Sequence, residues 1–277
     1  LIKTEETIKG FGGVDLFTQR LMSDGAKANV IIVHGYCEHT MRYMHFAKYL
    51  TDSGFNVFML DQRGHGRSGG RRASVLQWEE YFDDLDRFVA RVKEWESTLP
   101  LFIIGHSMGG LTTFSYIVNR PNAPFKGVVL SSPFFGLAIE VSPVKKLAAT
   151  IMTKVMPTLS LKSDLDPYLL THDVNIVKDY IKDPLVDKVA NTRWFTEAER
   201  VQKACMERSP EVTLPFLLMH GEEDHIAGPE YTRRIYQRLA STDKKLIMWE
   251  GMYHEIFNEL DRQKVYEKTV EWLNDRI

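Results

Sequence analysis

The chain has 277 residues, enough for one large α/β domain that buries roughly three quarters of its unfolded surface. Its 35 Lys and Arg against 37 Asp and Glu leave a net charge of −2 without blocks of like charge, which excludes a nucleic-acid binder and favours small or neutral lipid substrates. Its two cysteines, Cys37 and Cys205, lie far apart without Cys/His ligand spacing, which excludes a disulfide framework and a structural metal.

In chain order, residues 4–22, broken by Gly10, Gly12 and Gly13, read as a hairpin at a sheet edge. Short β-branched or aromatic runs follow at 30–33, 55–60, 101–104, 128–130, 216–219 and 246–249. Continuous apolar strands of this kind are buried on both faces, as in a parallel sheet covered on each side by helices. Between two of them, Trp78, Tyr81, Phe82, Leu85, Phe88, Val89, Val92 and Trp95 recur at helical spacing and form one apolar stripe that packs on the sheet. The alternation breaks at 134–213, where several helical patterns and no strand run appear. The expected architecture is one α/β domain with a mostly parallel central sheet. Its core is 1–133 and 214–277, and 134–213 is a helical cap over the strand ends. No apolar run reaches the ~18 residues of a spanning helix, and no signal-peptide pattern is present. The expected protein is soluble, in a reducing compartment such as the cytoplasm.

The chemistry centres on Gly105-His106-Ser107-Met108-Gly109, set between an apolar strand run and an amphipathic stretch beginning at Leu111. A strand turning sharply into a helix exposes a strained serine, and flanking glycines are needed because a Cβ would strike the neighbouring backbone. Ser107 needs a base, and the base needs an orienting acid. In the chain order serine, acid, histidine, Asp224 and His254 each lie on a loop just past a late strand. Glu222 and Glu223 compete with Asp224, but a short carboxylate held beyond the turn suits the role better. The oxyanion donors are expected to be the backbone N–H groups of Met108, after the nucleophile, and of Tyr36, in the loop after an early strand.

Other segments carry weaker signals. The run from Asp61 to Gly69 is glycine-rich yet lacks a phosphate-binding ending, and reads as a loop bracing the active-site face. Cys37 reads as a small buried hydrophobe rather than a reactive thiol. Val144, Leu147, Ala148, Ile151, Met152 and Val155 form a helical stripe with Lys145, Lys146 and Lys154 off it. That stripe either packs on the core or is a lid whose face, with Ile151, Met152 and Val155, meets an acyl chain or a membrane surface.

The phrases His34-Gly-x-x-Glu38-His39-x-x-Arg42-Tyr43, Asp61-x-Arg-Gly-His-Gly-x-Ser-Gly69, Gly105 to Gly110 and Ser131-Ser-Pro133 resemble the monoacylglycerol lipase (monoglyceride lipase and lysophospholipase) family of α/β-hydrolases. The likeness extends from about Phe11 to the final helix. It implies serine-dependent hydrolysis of a lipid carrying one acyl chain, with Ser107, Asp224 and His254 as triad, Tyr36 and Met108 at the oxyanion positions, and no cofactor. It also implies that His106 and Tyr180 face the alcohol and that Glu38 and Arg42 brace the oxyanion loop and alcohol pocket. Phe257 stands three residues after His254, where animal members of the family carry a second histidine lining the alcohol end, so a weaker preference for glycerol is expected. The ranking that follows is monoacylglycerol first, simple carboxylic esters second and lysophospholipids third. Ser107 excludes an epoxide hydrolase or dehalogenase, which needs a carboxylate nucleophile. A perhydrolase or acyltransferase differs only in the acyl acceptor, and a non-catalytic ligand receptor would ordinarily have lost a triad member. The oligomeric state is left open.

Overall fold

A computed structural model describes residues 2–139, 155, 156, 159–163 and 165–277. In chain order its strands are β1 (Ile2–Lys9), β2 (Asp15–Met22), β3 (Ala28–Val33), β4 (Phe55–Leu60), β5 (Leu101–His106), β6 (Gly127–Ser131), β7 (Ser160–Lys162), β8 (Val189–Asn191), β9 (Phe216–Gly221) and β10 (Lys244–Trp249). The helices of at least two turns among the described residues are α1 (Met44–Asp52), α2 (Glu79–Trp95), α3 (Met108–Asn119), α4 (Val174–Lys182), α5 (Thr192–Arg208), α6 (Pro229–Arg238) and α7 (Arg262–Asn274).

Eight strands form one sheet in the order β1-β2-β4-β3-β5-β6-β9-β10. From β4 to β10 all neighbours are parallel, whereas β2 is antiparallel to β4 and β1 to β2. The β1–β2 pair is the edge hairpin, turned where Gly12 and Gly13 adopt φ of 66° and 79°. The fold is the α/β-hydrolase fold with helices on both faces of a mostly parallel sheet.

The strand period explains the two cores. Ile31, Val33, Phe58, Leu60, Ile103, Val128, Leu130, Phe216 and Leu218 point to one face, where they meet α2, α3, α5 and α6. Their neighbours Val30, Ile32, Val57, Met59, Phe102, Ile104, Val129, Leu217 and Met219 point to the other, against α1 and α7. Each such side chain, fully withdrawn from water, contributes about 2 kcal/mol before the cost of ordering the chain. The stripe expected from Trp78 onwards is α2, and it lies on the first face. β10 departs from the expectation of strands buried on both faces: it closes the sheet edge and is only half-buried.

The insertion also differs from the sequence reading in two ways. It contains a short antiparallel ribbon, β7 with β8, where no strand was expected. Three residues per strand, with β7 exposed throughout, give too little periodicity to read. Packing also draws the boundary of the cap earlier than residue 213, because Trp194, Ala198, Val201 and Cys205 of α5 belong to the first-face core. Residues 144–154 of the expected lid stripe, with Ile151 and Met152, lie outside the described residues.

The strands present their C-terminal ends to one rim. β3 and β5 are neighbours there, with the chain leaving β3 toward β4 on one side and β5 toward β6 on the other. A crevice opens at such a switch point, and ligands of open α/β sheets bind there.

Candidate active site

Ser107 sits at the turn from β5 into α3 with φ 52° and ψ −118°, a left-handed conformation that a non-glycine residue adopts only when its surroundings enforce it. The enforcement is close packing. A Cβ on Gly105 would lie 2.5 Å from the Gly109 carbonyl oxygen, and one on Gly109 would lie 2.2 Å from that of Val33. Ser107 N–H donates to Ser131 O (3.0 Å), which ties the turn to the end of β6.

His254 arrives on the loop after β10, and Ser107 Oγ donates to its Nε2 (2.9 Å). Its Nδ1 donates to Asp224 Oδ2 (2.7 Å), and a carboxylate acceptor on that side leaves the Nε2 lone pair free to take the serine proton. Asp224 follows β9, and its other oxygen accepts from the N–H groups of Ile226 (2.8 Å) and Ala227 (2.9 Å). Glu222 and Glu223 instead face solvent. The acid and base loops are zipped together, since Glu222 N–H donates to Trp249 O and Glu223 N–H to Met252 O.

Burial works against charge on both partners, and their pairing overrides it. The Asp224 carboxyl is held well below its usual range: burial opposes this, but the His254 charge and hydrogen bonds from His220 and His254 outweigh it. His254 is raised above 6.5; burial again opposes, and Asp224, with lesser contributions from Glu255 and Glu38, prevails. His106, whose ring centroid lies 4.9 Å from that of His254, is pushed down to about 3 by burial and by the His254 charge. It therefore remains a neutral imidazole, with Nδ1 3.1 Å from Ser131 Oγ.

The loop after β3 carries the second expected oxyanion donor. Met108 N–H opens α3 and has no acceptor within the helix. Tyr36 is fixed at three points: its ring stacks on Trp194 (3.8 Å), its hydroxyl donates to Ala73 O (2.7 Å), and that oxygen accepts from Asn191 N–H (3.2 Å). Cys37 turns the chain with φ 60°. Its thiol is buried and its pKa is driven far up by burial, as expected of an inert hydrophobe. Beneath the turn, His34 Nε2 accepts from Gln62 N–H (2.8 Å), and Asp61 accepts from Thr40 N–H and Arg67 N–H (2.8 Å each). The glycine-rich loop thus braces this rim.

Ser107 and His254 open into a cavity of about 410 Å³. One wall is apolar, with Phe134, Leu137, Leu165, Leu170, Ile181, Trp194, Phe195 and Ile226. The other end is polar, with Glu38, Arg42, His106, Tyr180 and Glu255. Arg42 donates to Glu38 (3.0 Å) and in a fork to Glu255 (2.7 and 2.7 Å), and its guanidinium lies over the Tyr180 ring (4.8 Å).

Two expected substrate contacts are not in the cavity. Phe257 stacks on Phe46 (4.2 Å) within the second-face core, because the short helical turn Ile256–Asn258 rotates it beneath the sheet rim. The weaker glycerol preference inferred from it therefore has no basis in the cavity lining. Val155 is 71% exposed and does not line the cavity. Conversely, sequence reasoning assigned no role to Glu255 or to His220. His220 Nε2 lies 2.9 Å from Asp224 Oδ2 and 3.0 Å from Ala227 O, so it carries a proton and donates to the acid. The His220-Gly221 pair at the end of β9, four residues before the acid, was the available signal. Among the described residues no cluster of His, Cys, Asp and Glu converges as a metal site.

A family model described as serine aminopeptidase, S33 matches residues 24–261. A monoacylglycerol lipase of Mycolicibacterium smegmatis is 32% identical over 98% of this chain and 97% of its own length. The chain belongs to the monoacylglycerol lipase family of α/β-hydrolases. A monoglyceride lipase of Rattus norvegicus is 32% identical, covering 91% of this chain and 84% of its own. The crystal structure of the Paleococcus ferrophilus monoacylglycerol lipase superposes with a TM-score of 0.86 at 31% identity, over 95% of this chain and 99% of the other.

Proposed function

We propose that this protein hydrolyses the single ester of monoacylglycerols to a fatty acid and glycerol through an acyl-enzyme on Ser107. The observation that carries this reading is the continuous hydrogen-bonded series Ser107–His254–Asp224 at the junction of an apolar wall and a polar end. The acyl chain lies along Phe134, Leu137, Ile181 and Phe195, and the glyceryl group faces His106, Arg42 and Tyr180.

His254 Nε2 takes the Ser107 proton as Oγ bonds to the ester carbon, and the carbonyl electrons move onto oxygen. The N–H groups of Tyr36 and Met108, the latter at the positive end of α3, receive that oxyanion. Collapse re-forms the carbonyl and expels glycerol with the proton held on His254. Water then enters, gives its proton to the same nitrogen and attacks the acyl carbon, releasing the fatty acid and returning the proton to Ser107.

The polar end favours an uncharged alcohol. Arg42 is already engaged by Glu38 and Glu255, so it is not free to pair with a phosphate-bearing head group, which places lysophospholipids behind glycerol esters. A peptide amino terminus is also poorly served, because both carboxylates are engaged by Arg42, Tyr43, Gly35 N–H and Asn258. Exposed Leu165 and Ile181 at the cavity rim, with Lys162 beside them, suit transient contact with a lipid surface by a cytoplasmic enzyme. No helix among the described residues is long and apolar enough to cross a membrane.

The test is a hydrolysis panel of monooleoylglycerol, lysophosphatidic acid and p-nitrophenyl butyrate, with fluorophosphonate labelling of wild type and Ser107→Ala. Turnover of monooleoylglycerol in preference to the lysophospholipid, with label on wild type alone, is the expected result. Folded wild type that takes no label ends the serine-hydrolase reading, and a preference for lysophosphatidic acid ends the assignment of the alcohol.

A further inference from the structure

Glu255 is 4% exposed, yet it follows the base directly and faces the polar end of the cavity. Its carboxylate takes both arms of the Arg42 guanidinium (2.7 and 2.7 Å) and the Asn258 amide (2.7 Å), and its own N–H donates to Leu170 O (2.8 Å). Arg42 passes its remaining contact to Glu38 Oε2 (3.0 Å). The other Glu38 oxygen accepts from Gly35 N–H and from the Tyr43 hydroxyl, each at 2.5 Å. Gly35 precedes Tyr36. A buried series of three ionisable side chains thus runs from the residue after His254 to the residue before the expected oxyanion donor, joining loops that lie at opposite ends of the chain.

Buried ion pairs seldom add net stability, because desolvation offsets the attraction, but they do fix geometry. A forked guanidinium–carboxylate contact holds two planes in register, where an apolar contact would allow sliding. We infer that Glu255 is a positioning residue: acting through Arg42 and Glu38, it sets the oxyanion turn relative to the loop that carries the base. The inference rests on the serine-hydrolase reading above and deepens it.

The same carboxylate contributes to the field at His254. The groups facing that imidazole are Asp224 from the loop after β9, His106 and Ser107 from the end of β5, Glu38 and its partner Arg42 from the loop after β3, and Glu255 beside it. Glu255 favours the protonated base, so its charge acts on the pH at which the base becomes available.

Two variants separate geometry from charge, with wild-type fluorophosphonate labelling as the control for the underlying reading. Glu255→Gln keeps length and removes charge; Glu255→Asp keeps charge and is too short for the fork. With p-nitrophenyl butyrate, both lose at least about tenfold in kcat with KM changed far less. In Glu255→Gln the acidic limb of kcat/KM moves to lower pH by roughly one unit, and in Glu255→Asp it stays. Wild-type kcat in both variants, or a loss confined to KM, overturns the inference, as does an unmoved acidic limb in a folded Glu255→Gln. If that variant does not fold, Glu255→Asp decides: full kcat refutes the positioning role. Unlabelled wild type would instead mean that the hydrolase reading had failed.

Discussion

The two ends of the cavity are built on different physical terms. At the polar end, Glu38, Arg42 and Glu255 are all buried, and each is held by several directional contacts that begin and end on core loops. At the apolar end, Leu165, Ile181 and Phe195 come from the insertion and its following helix, and the side chains forming that wall are held by non-directional packing. The first end fixes where atoms react, because displacing a charge-assisted contact leaves a buried charge unpaired. The second selects by area, so it tolerates variation in length with only graded loss.

Substitutions test that contrast most sharply at the reacting centre. His254→Gln keeps the volume of the base and removes its proton relay, and p-nitrophenyl ester turnover should fall roughly 10⁶-fold in kcat while the thermal midpoint stays near wild type. Residual activity above about 1% would assign the base elsewhere.

A smaller effect follows from pH. Because the pairing with Asp224 raises His254 above 6.5, kcat/KM should reach half its plateau at a pH above 6.5 and decline about tenfold per unit on further acidification, as the base gains a proton. His34, His65 and His106, held down to about 3 by burial, stay neutral through that range and do not contribute to the decline. A rate that is flat to about pH 4 contradicts a histidine base.

The smallest change belongs to the apolar end. Ile181→Ala should lower kcat/KM for a dodecanoyl ester by roughly five- to tenfold while leaving the butanoyl ester within about twofold. Equal losses on both esters would mean that Ile181 shapes the reacting centre rather than the chain path, and the contrast between the two ends would dissolve.

Much of this was legible in the sequence where local pattern and local structure coincide. Apolar runs such as 101–104 and 216–219 marked strands, the pentad around Ser107 marked the turn, and chain order, loop placement and the preference for a short carboxylate pointed to Asp224 and His254. What escaped has a common cause. Glu255 is an ordinary carboxylate until Arg42, from the other end of the chain, buries it. Phe257 keeps its sequence distance from His254, but the turn Ile256–Asn258 sends it to the far side of the rim. α5 shows a helical pattern whether it belongs to the cap or the core, and only packing of Trp194 and Val201 on the first face decides. Tertiary partners, not spacing, assign these residues their places.

The turn after β3 is also stitched to the insertion: His39 Nε2 lies 2.9 Å from Asp183, Asp187 N–H donates to Cys37 O (3.2 Å), and the Cys37 thiol donates to Val189 O (3.3 Å). On heating, peeling back the insertion would therefore disarm the enzyme while its sheet was still intact. The resistance of such a catalyst to inactivation would be set by this seam rather than by its central scaffold.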